Sequence, residues 1–380
     1  MLRSRFRSGL AADPRPGRIL VENGVLPMSR KPHIPVFFHK DQLEHKPLFE
    51  WSFGEKIDHP ETTRRVESIV AALSTDPERY RFVTPKQIPL GDLKRVHNPD
   101  LVELYKNAMK LPPDKTFYPS IFPQRTKTKP NPKIIQHAGY YCFDSGTPLT
   151  ATTWSAAAWS AACAVEAAKL IEKGASRLTY SLCRPPGHHA SERLFGGYCY
   201  FNNAALAAKR LRKSGRVAIL DIDFHHGNGT QDFFYDDRKV LFISIHGDPR
   251  EYYPFFTGFS AEKGFGDGYG YNMNIPLATG TEWGEYRKVL EETAIPRLLK
   301  FKPSVLIVSA GFDTYLSDPV GTFSLTTEDY RAMGGLIGAL DLPTMVVQEG
   351  GYEETSLGSN VKAFLDGFTP RPRGGRTHEN

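Results

Sequence analysis

From Trp154 onward the chain alternates two kinds of apolar pattern. Long stretches with apolar residues at helical spacing are separated by short, nearly unbroken runs of Val, Ile and Leu. The helical pattern covers Trp154–Lys173 and Asn203–Lys213, and recurs near 282–300, 326–340 and 355–367. The short runs are RLTYSLC, RVAILDID, VLFISIH, YNMNIP, SVLIVSA and MVVQE, and they predict strands. Strands that are apolar without alternation need a sheet covered on both faces, which in turn implies parallel strands with crossover helices. The first half reads less regularly. IPVFFH (34–39) predicts a strand, Pro60–Leu73 and 99–110 predict helices, and the proline-rich stretch from Leu111 to Lys133 predicts a long irregular loop. The expected fold is a single α/β domain with a mainly parallel sheet and helices on both faces.

Ligands in such folds bind outside the carboxyl ends of the strands, and here polar chemistry follows one strand after another. RPPGHHA follows SLC, DIDFHHGNGT continues VAIL, His246 follows FISI, Asp313 follows LIVSAGF, and EGGY follows MVVQ. Side chains along a strand alternate in direction, so Asp221, Asp223 and His225 share one side while Ile222 and Phe224 take the other. With Asp313 from a later strand end, Asp223 and His225 make a three-ligand set for a divalent cation that leaves positions open. The plainer reading has the aspartates capping loops and His225 packed in the core. His188 and His189 present two imidazoles after a constrained turn, with Asp221 and Asn228 as available partners; adjacent histidines also occur in ordinary loops. Tyr352, on a glycine turn, either donates to a developing oxyanion or simply packs.

Composition narrows this picture. The chain has 380 residues, 40% hydrophobic and 24% charged, which describes a globular domain large enough to enclose a site. No apolar run reaches the roughly 18 residues of a membrane-spanning helix. The net charge of +6 is carried by the ends: residues 1–31 hold +5 and residues 369–380 hold +2, leaving the body near neutral. This predicts a basic, disordered extension over 1–31, a folded α/β domain over 32–368 and a disordered tail over 369–380, with nucleic acid not expected as a partner. The four cysteines lack a CxxC pair and sit among apolar neighbours, as buried free thiols of a reducing compartment do. The expected location is the cytoplasm, with organellar targeting by the arginine-rich N-terminus as the alternative.

RPPGHHA, GGYCYFNNAA, DIDFHHGNGTQ, SAGFD followed by DP, and EGGY, in this order, resemble the histone deacetylase superfamily and its arginase-like fold. GYYCFDSGT, FGGYC and HGDP are most similar to its bacterial acetylpolyamine amidohydrolase and class II-like branch. The resemblance implies a zinc-dependent amidohydrolase that removes acetyl groups from acetyl-lysine or an acetylated polyamine, with one zinc on Asp223, His225 and Asp313. It implies His189 as general base and acid, His188 as electrostatic partner backed by Asp221, Asn228 as partner of His189, and Tyr352 as the residue polarising the scissile carbonyl. Tyr198 and Tyr253 match the channel walls, and Gly197 the residue offering its carbonyl to the substrate amide. Potassium sites are implied at Asp221, Asp223, His225, Ser244 and Ile245, and at Phe234, Asp237, Val240 and Tyr271. A homodimer or higher assembly is also expected.

Two departures concern the substrate. The stretch FYPSIFPQRTKTKPNPKIIQHA has no Asp or Glu, where polyamine-specific relatives carry acidic residues, and Val320 stands where a polyamine-selective deacetylase carries glutamate. A polycation favours carboxylates near the channel mouth, so acetyl-lysine becomes a rival substrate. A non-catalytic acyl-lysine binder on the same fold is the alternative of another class; it is expected to lose a zinc ligand or Tyr352, and neither is missing.

Overall fold

The structure is a computed structural model that describes residues 33–122 and 129–368. The expected extension over 1–31 and tail over 369–380 lie outside the described residues. Among the described residues ten strands occur: β1 (Ile34–Phe37), β2 (Phe49–Ser52), β3 (Glu55–Asp58), β4 (Tyr80–Val83), β5 (Leu178–Ser181), β6 (Val217–Asp221), β7 (Val240–Gly247), β8 (Asn272–Leu277), β9 (Val305–Ala310) and β10 (Thr344–Gln348). Eight of them form one sheet in the order β4-β1-β5-β10-β9-β6-β7-β8, with every neighbouring pair parallel. β2 and β3 make a separate antiparallel ribbon.

The unbroken apolar strands divide their residues between two cores. Ala218 and Leu220 of β6, Leu241, Ile243 and Ile245 of β7, and Leu306 and Val308 of β9 enter one cluster. Val217, Ile219, Val240, Phe242, Val305 and Ile307 enter the other. Each fully buried Val, Ile or Leu contributes about 1.5–3 kcal/mol, so neither face tolerates exposure. The first core is closed by α1 (Thr63–Ser74), α7 (Trp283–Val289), α8 (Ile295–Phe301), α9 (Thr327–Gly338) and α10 (Glu354–Gly367). The second is closed by α4 (Thr153–Glu172), α5 (Asn203–Leu211) and α6 (Asn228–Phe234). α4 is apolar almost all round because its far side packs against α3 (Pro99–Ala108), which α2 (Leu90–Val96) backs.

The helix expected over 282–300 is interrupted by a π-turn at Leu290–Ala294. Pro296, in the first turn of α8, has no N–H to continue the α-helical ladder, which the wider turn accommodates. The strand expected over RVAILDID also ends early, at Asp221. Beyond it the chain bends, and the alternation survives because Ile222 and Phe224 are anchored in the first core.

Strand order explains why the polar strand ends meet. After β5 the chain crosses to β6, and β9 and β10 later fill the gap between them. The carboxyl ends of β5, β10, β9 and β6 are therefore adjacent at the centre of the sheet, where the chain reverses its winding.

Candidate metal centre and acyl channel

Asp223 and His225 follow β6 and Asp313 follows β9; their ligand atoms all lie within 4.8 Å of one another. His225 Nδ1 stands 3.2 Å from Asp223 Oδ1 and 2.9 Å from Asp313 Oδ2, so one ring nitrogen faces two buried carboxylates. The backbone fixes both acids: Phe224 N–H donates to Asp313 Oδ1 at 2.9 Å and Gly350 N–H to Asp223 Oδ2 at 2.8 Å. Burial, and then the charge of Asp223, push the Asp313 carboxyl up to about 7. One nitrogen and two oxygen donors crowded with excess negative charge fit a divalent cation of the zinc type.

The adjacent histidines have unlike partners. His188 Nδ1 lies 3.1 Å from Asp221 Oδ2, and His189 Nδ1 lies 2.7 Å from Asn228 Oδ1, at the first residue of α6. Burial works against a charged His188, but the carboxylates of Asp223 and Asp221 outweigh it and push the ring up to about 10. Burial, with the positive charge of His188 and His225, holds His189 well below its ordinary value. The ring centroids are 4.0 Å apart, yet their surroundings favour the charged form of His188 and the neutral form of His189. Because the Asn228 oxygen only accepts, His189 carries its proton on Nδ1 and keeps a lone pair on Nε2. Gly197 lies against this ring: a Cβ there would stand 2.2 Å from His189 Cδ2, and its φ is +56°. Only glycine fits.

Tyr352 is set by a buried scaffold that the sequence reading passed over. Asp318, of the DP pair, accepts from Tyr352 N–H at 2.6 Å and Glu353 N–H at 3.0 Å. Arg65, on α1, donates to the carbonyls of Glu349 and Gly351, each at 2.6 Å, and its guanidinium carbon sits 4.8 Å from the centre of the Tyr352 ring. Glu61 Oε1 is 2.8 Å from both Arg65 Nη1 and Arg184 Nε, linking this loop to the turn that carries the histidines. Glu349 makes a second link, accepting from Gly187 N–H at 2.7 Å and His188 N–H at 3.1 Å. Burial, opposed by Arg65, pushes the Tyr352 phenol well above its ordinary value, so it stays a donor.

Two aromatic walls flank this centre. The Tyr253 ring lies 4.9 Å from His189 and the Tyr198 ring 5.9 Å from Tyr352. Asp144 joins the walls, accepting from Gly197 N–H and, at 2.9 Å, from the Tyr253 hydroxyl. A further carboxylate comes from β2, far away in sequence. Glu50 is buried; burial pushes its carboxyl up to about 7 against a hydrogen bond from Tyr198, with Asp144 adding to the rise. Val320 lies on a turn pinned by its own N–H to Asp318 Oδ1 at 2.9 Å.

The residues matched to potassium form two groups. Asp221 and Ser244 are register partners on β6 and β7, beside Ile245, and the Ser244 hydroxyl lies 2.7 Å from His246 Nδ1. Phe234, Asp237 and Val240 share one turn, while the Tyr271 carbonyl accepts from Phe242 N–H at 2.9 Å. His188, Cys199 and Glu349 also cluster. Glu349 is already engaged by the two amides and by Ser309, and burial drives the Cys199 thiol well up, so this is hydrogen-bonded core. All four cysteines are buried and free. No helix among the described residues is long and apolar enough to cross a membrane.

The histone deacetylase domain model matches residues 59–368. Acetylpolyamine amidohydrolase 2 of Pseudomonas aeruginosa is 46% identical over 291 residues, covering 75% of this chain and 84% of that protein. The acetylpolyamine amidohydrolase of Burkholderia pseudomallei is 39% identical over 339 residues, covering 87% and 98%. A crystal structure of acetylpolyamine aminohydrolase from the same organism superposes with a TM-score of 0.82 at 37% identity, covering 88% of this chain and 98% of that one. With a wholly parallel sheet and these motifs gathered at its centre, the chain belongs to the histone deacetylase superfamily, in its bacterial acetylpolyamine amidohydrolase branch.

Proposed function

We propose that this enzyme is a zinc-dependent amidohydrolase that releases acetate from acetylated linear amines, with acetylated polyamines as its substrate class. The observation that carries the reading is the placement, around one buried three-ligand cluster, of His189, held through Nδ1 by Asn228, and Tyr352, held through its backbone by Asp318. A zinc ion held by Asp223, His225 and Asp313 supplies Lewis acidity toward the acyl oxygen and toward water. His189 Nε2 takes the proton of the attacking water, with Asn228 fixing the ring through Nδ1. The Tyr352 hydroxyl donates to the oxyanion as it forms. The charged His188, backed by Asp221, stabilises the same negative charge from the other side. As the C–N bond breaks, protonated His189 returns its proton to the leaving nitrogen, giving acetate and the free amine.

The relatives named as acting on acetylpolyamines support the substrate class. So does Glu50, whose carboxyl accepts a hydrogen bond from the Tyr198 wall and brings negative charge to it when ionised. We extend the proposal to potassium at Asp221, Asp223, His225, Ser244 and Ile245, where the Asp221 carboxylate and Ser244 hydroxyl belong to register partners, and at Phe234, Asp237, Val240 and Tyr271. The test is kcat/KM on acetylputrescine, acetylspermidine and an acetyl-lysine peptide side by side, with Tyr352→Phe as control. The expected result is preference for the polyamines; preference for the peptide overturns the substrate class and keeps the reaction.

A further inference from the structure

Outside glycine, five described residues have left-handed backbone, and three of them are aromatic residues at the channel: Phe53 (φ 49°), Tyr198 (φ 64°) and Phe255 (φ 63°). That conformation is unfavourable for an L residue with a bulky side chain, and it persists only where the surroundings impose it. Tyr198 is accounted for as a channel wall. Phe53 and Phe255 have no part in the reaction derived above.

Phe53 forms the tip of the β2–β3 ribbon, three residues after Glu50, and is 90% exposed. Its ring meets Phe255 edge to face, with centroids 6.1 Å apart. Phe255 lies 6.3 Å from Tyr253 and 6.4 Å from Phe256, which is 92% exposed. Tyr253 in turn reaches His189. A continuous file of rings thus leads from solvent to the catalytic imidazole.

Exposed aromatic faces carry a negative quadrupole and bind cations. Among the described residues no lysine or arginine lies over Phe53, Phe255 or Phe256, although Lys56 covers Phe49 on the same ribbon at 4.1 Å. The carboxyls of Glu50 and Asp144 are hydrogen-bonded to the walls, at Tyr198 and Tyr253, and add attraction of the same sign when ionised. An acetylated polyamine held by its amide at the metal centre extends one or more ammonium groups outward. Resting on the function proposed above, we propose that Phe53, Phe255 and Phe256 form an aromatic rim that binds the ammonium groups of the substrate lying beyond the channel.

The test compares kcat/KM for N8-acetylspermidine with that for a neutral N-alkylacetamide of equal chain length. It uses the wild type, Phe53→Leu/Phe255→Leu, which keeps apolar bulk without a π face, and Phe53→Trp/Phe255→Trp, which keeps the face. The ratio of charged to neutral substrate is expected to fall about tenfold in the leucine variant and to stay within about twofold in the tryptophan variant. Calorimetric binding of unacetylated spermidine should weaken in the same order. That readout needs no hydrolysis, so it judges the rim even if the wild type hydrolyses neither amide and the proposed function fails. An unchanged ratio and unchanged spermidine affinity in the leucine variant overturn the proposal. So does an equal loss in both variants, or a wild-type dimer that the leucine substitutions convert to monomer, which makes the rim an interface between two copies.

Discussion

At the floor of the site each metal-facing carboxylate accepts a backbone N–H, and Tyr352 is braced by Asp318 and Arg65. At the mouth, Phe53 and Phe256 are almost wholly exposed and touch little beyond other rings. The floor is preorganised by buried hydrogen bonds, so a change there removes chemistry. The mouth is built from a ribbon tip and a loop, so a change there alters which amine is accepted.

The largest expected effect tests the floor itself. Asp313→Asn removes a ligand charge, and kcat/KM should fall about 10³-fold or more, because a catalytic cation supplies several kcal/mol of transition-state stabilisation. Tyr352→Phe should lower kcat about 10²–10³-fold with little change in KM, the cost of one oxyanion donor. Asp318→Ala leaves the reacting groups intact but frees the loop carrying Tyr352. Steady-state kinetics should show kcat lower by about 10–100-fold, with zinc affinity retained when measured by competition with a chromogenic chelator.

Two smaller effects follow from charge. In the proposed reaction His189 works as a free base, and its affinity for protons is depressed. Activity should therefore be complete at pH 7 and be lost only as the pH falls through a midpoint below 6.5. Asn228→Asp places a negative charge against this ring, which favours its protonated form and should move the acid limb upward by about one pH unit. Glu50 is raised to about 7, so it is ionised only above that pH. Preference for cationic amides over neutral ones should grow as the pH rises through 7, and Glu50→Gln should flatten that rise, an effect of about fivefold in the kcat/KM ratio.

The same contrast governs what was legible in the sequence. The strands from β5 to β10 announce themselves because burial on both faces demands Val, Ile and Leu, and their polar ends mark the floor residues by position alone. Arg65 and Glu61 were hidden in an amphipathic helical pattern, where charges read as a solvated face; in the fold they are buried against the Tyr352 loop. The β2–β3 ribbon escapes a sequence reading because FEWS alternates over only four residues and buries its polar Glu50 rather than its aromatics, EKID has a single apolar residue, and the tip presents an exposed Phe53. From sequence, substrate charge therefore rests on the basic 117–138 stretch and on Val320. Glu50 reaches the channel through tertiary placement of a segment more than 130 residues before His188, which no local pattern encodes.

The central claim is that deacetylation requires one divalent cation on Asp223, His225 and Asp313. Its most direct test is to strip the protein with a chelator, then titrate zinc back while following release of acetate from acetylspermidine. Activity should be negligible in the stripped protein, rise linearly to a plateau at about one equivalent per chain, and fail to return in Asp313→Asn. Full turnover by the metal-free protein, or equal recovery in the variant, would contradict the account.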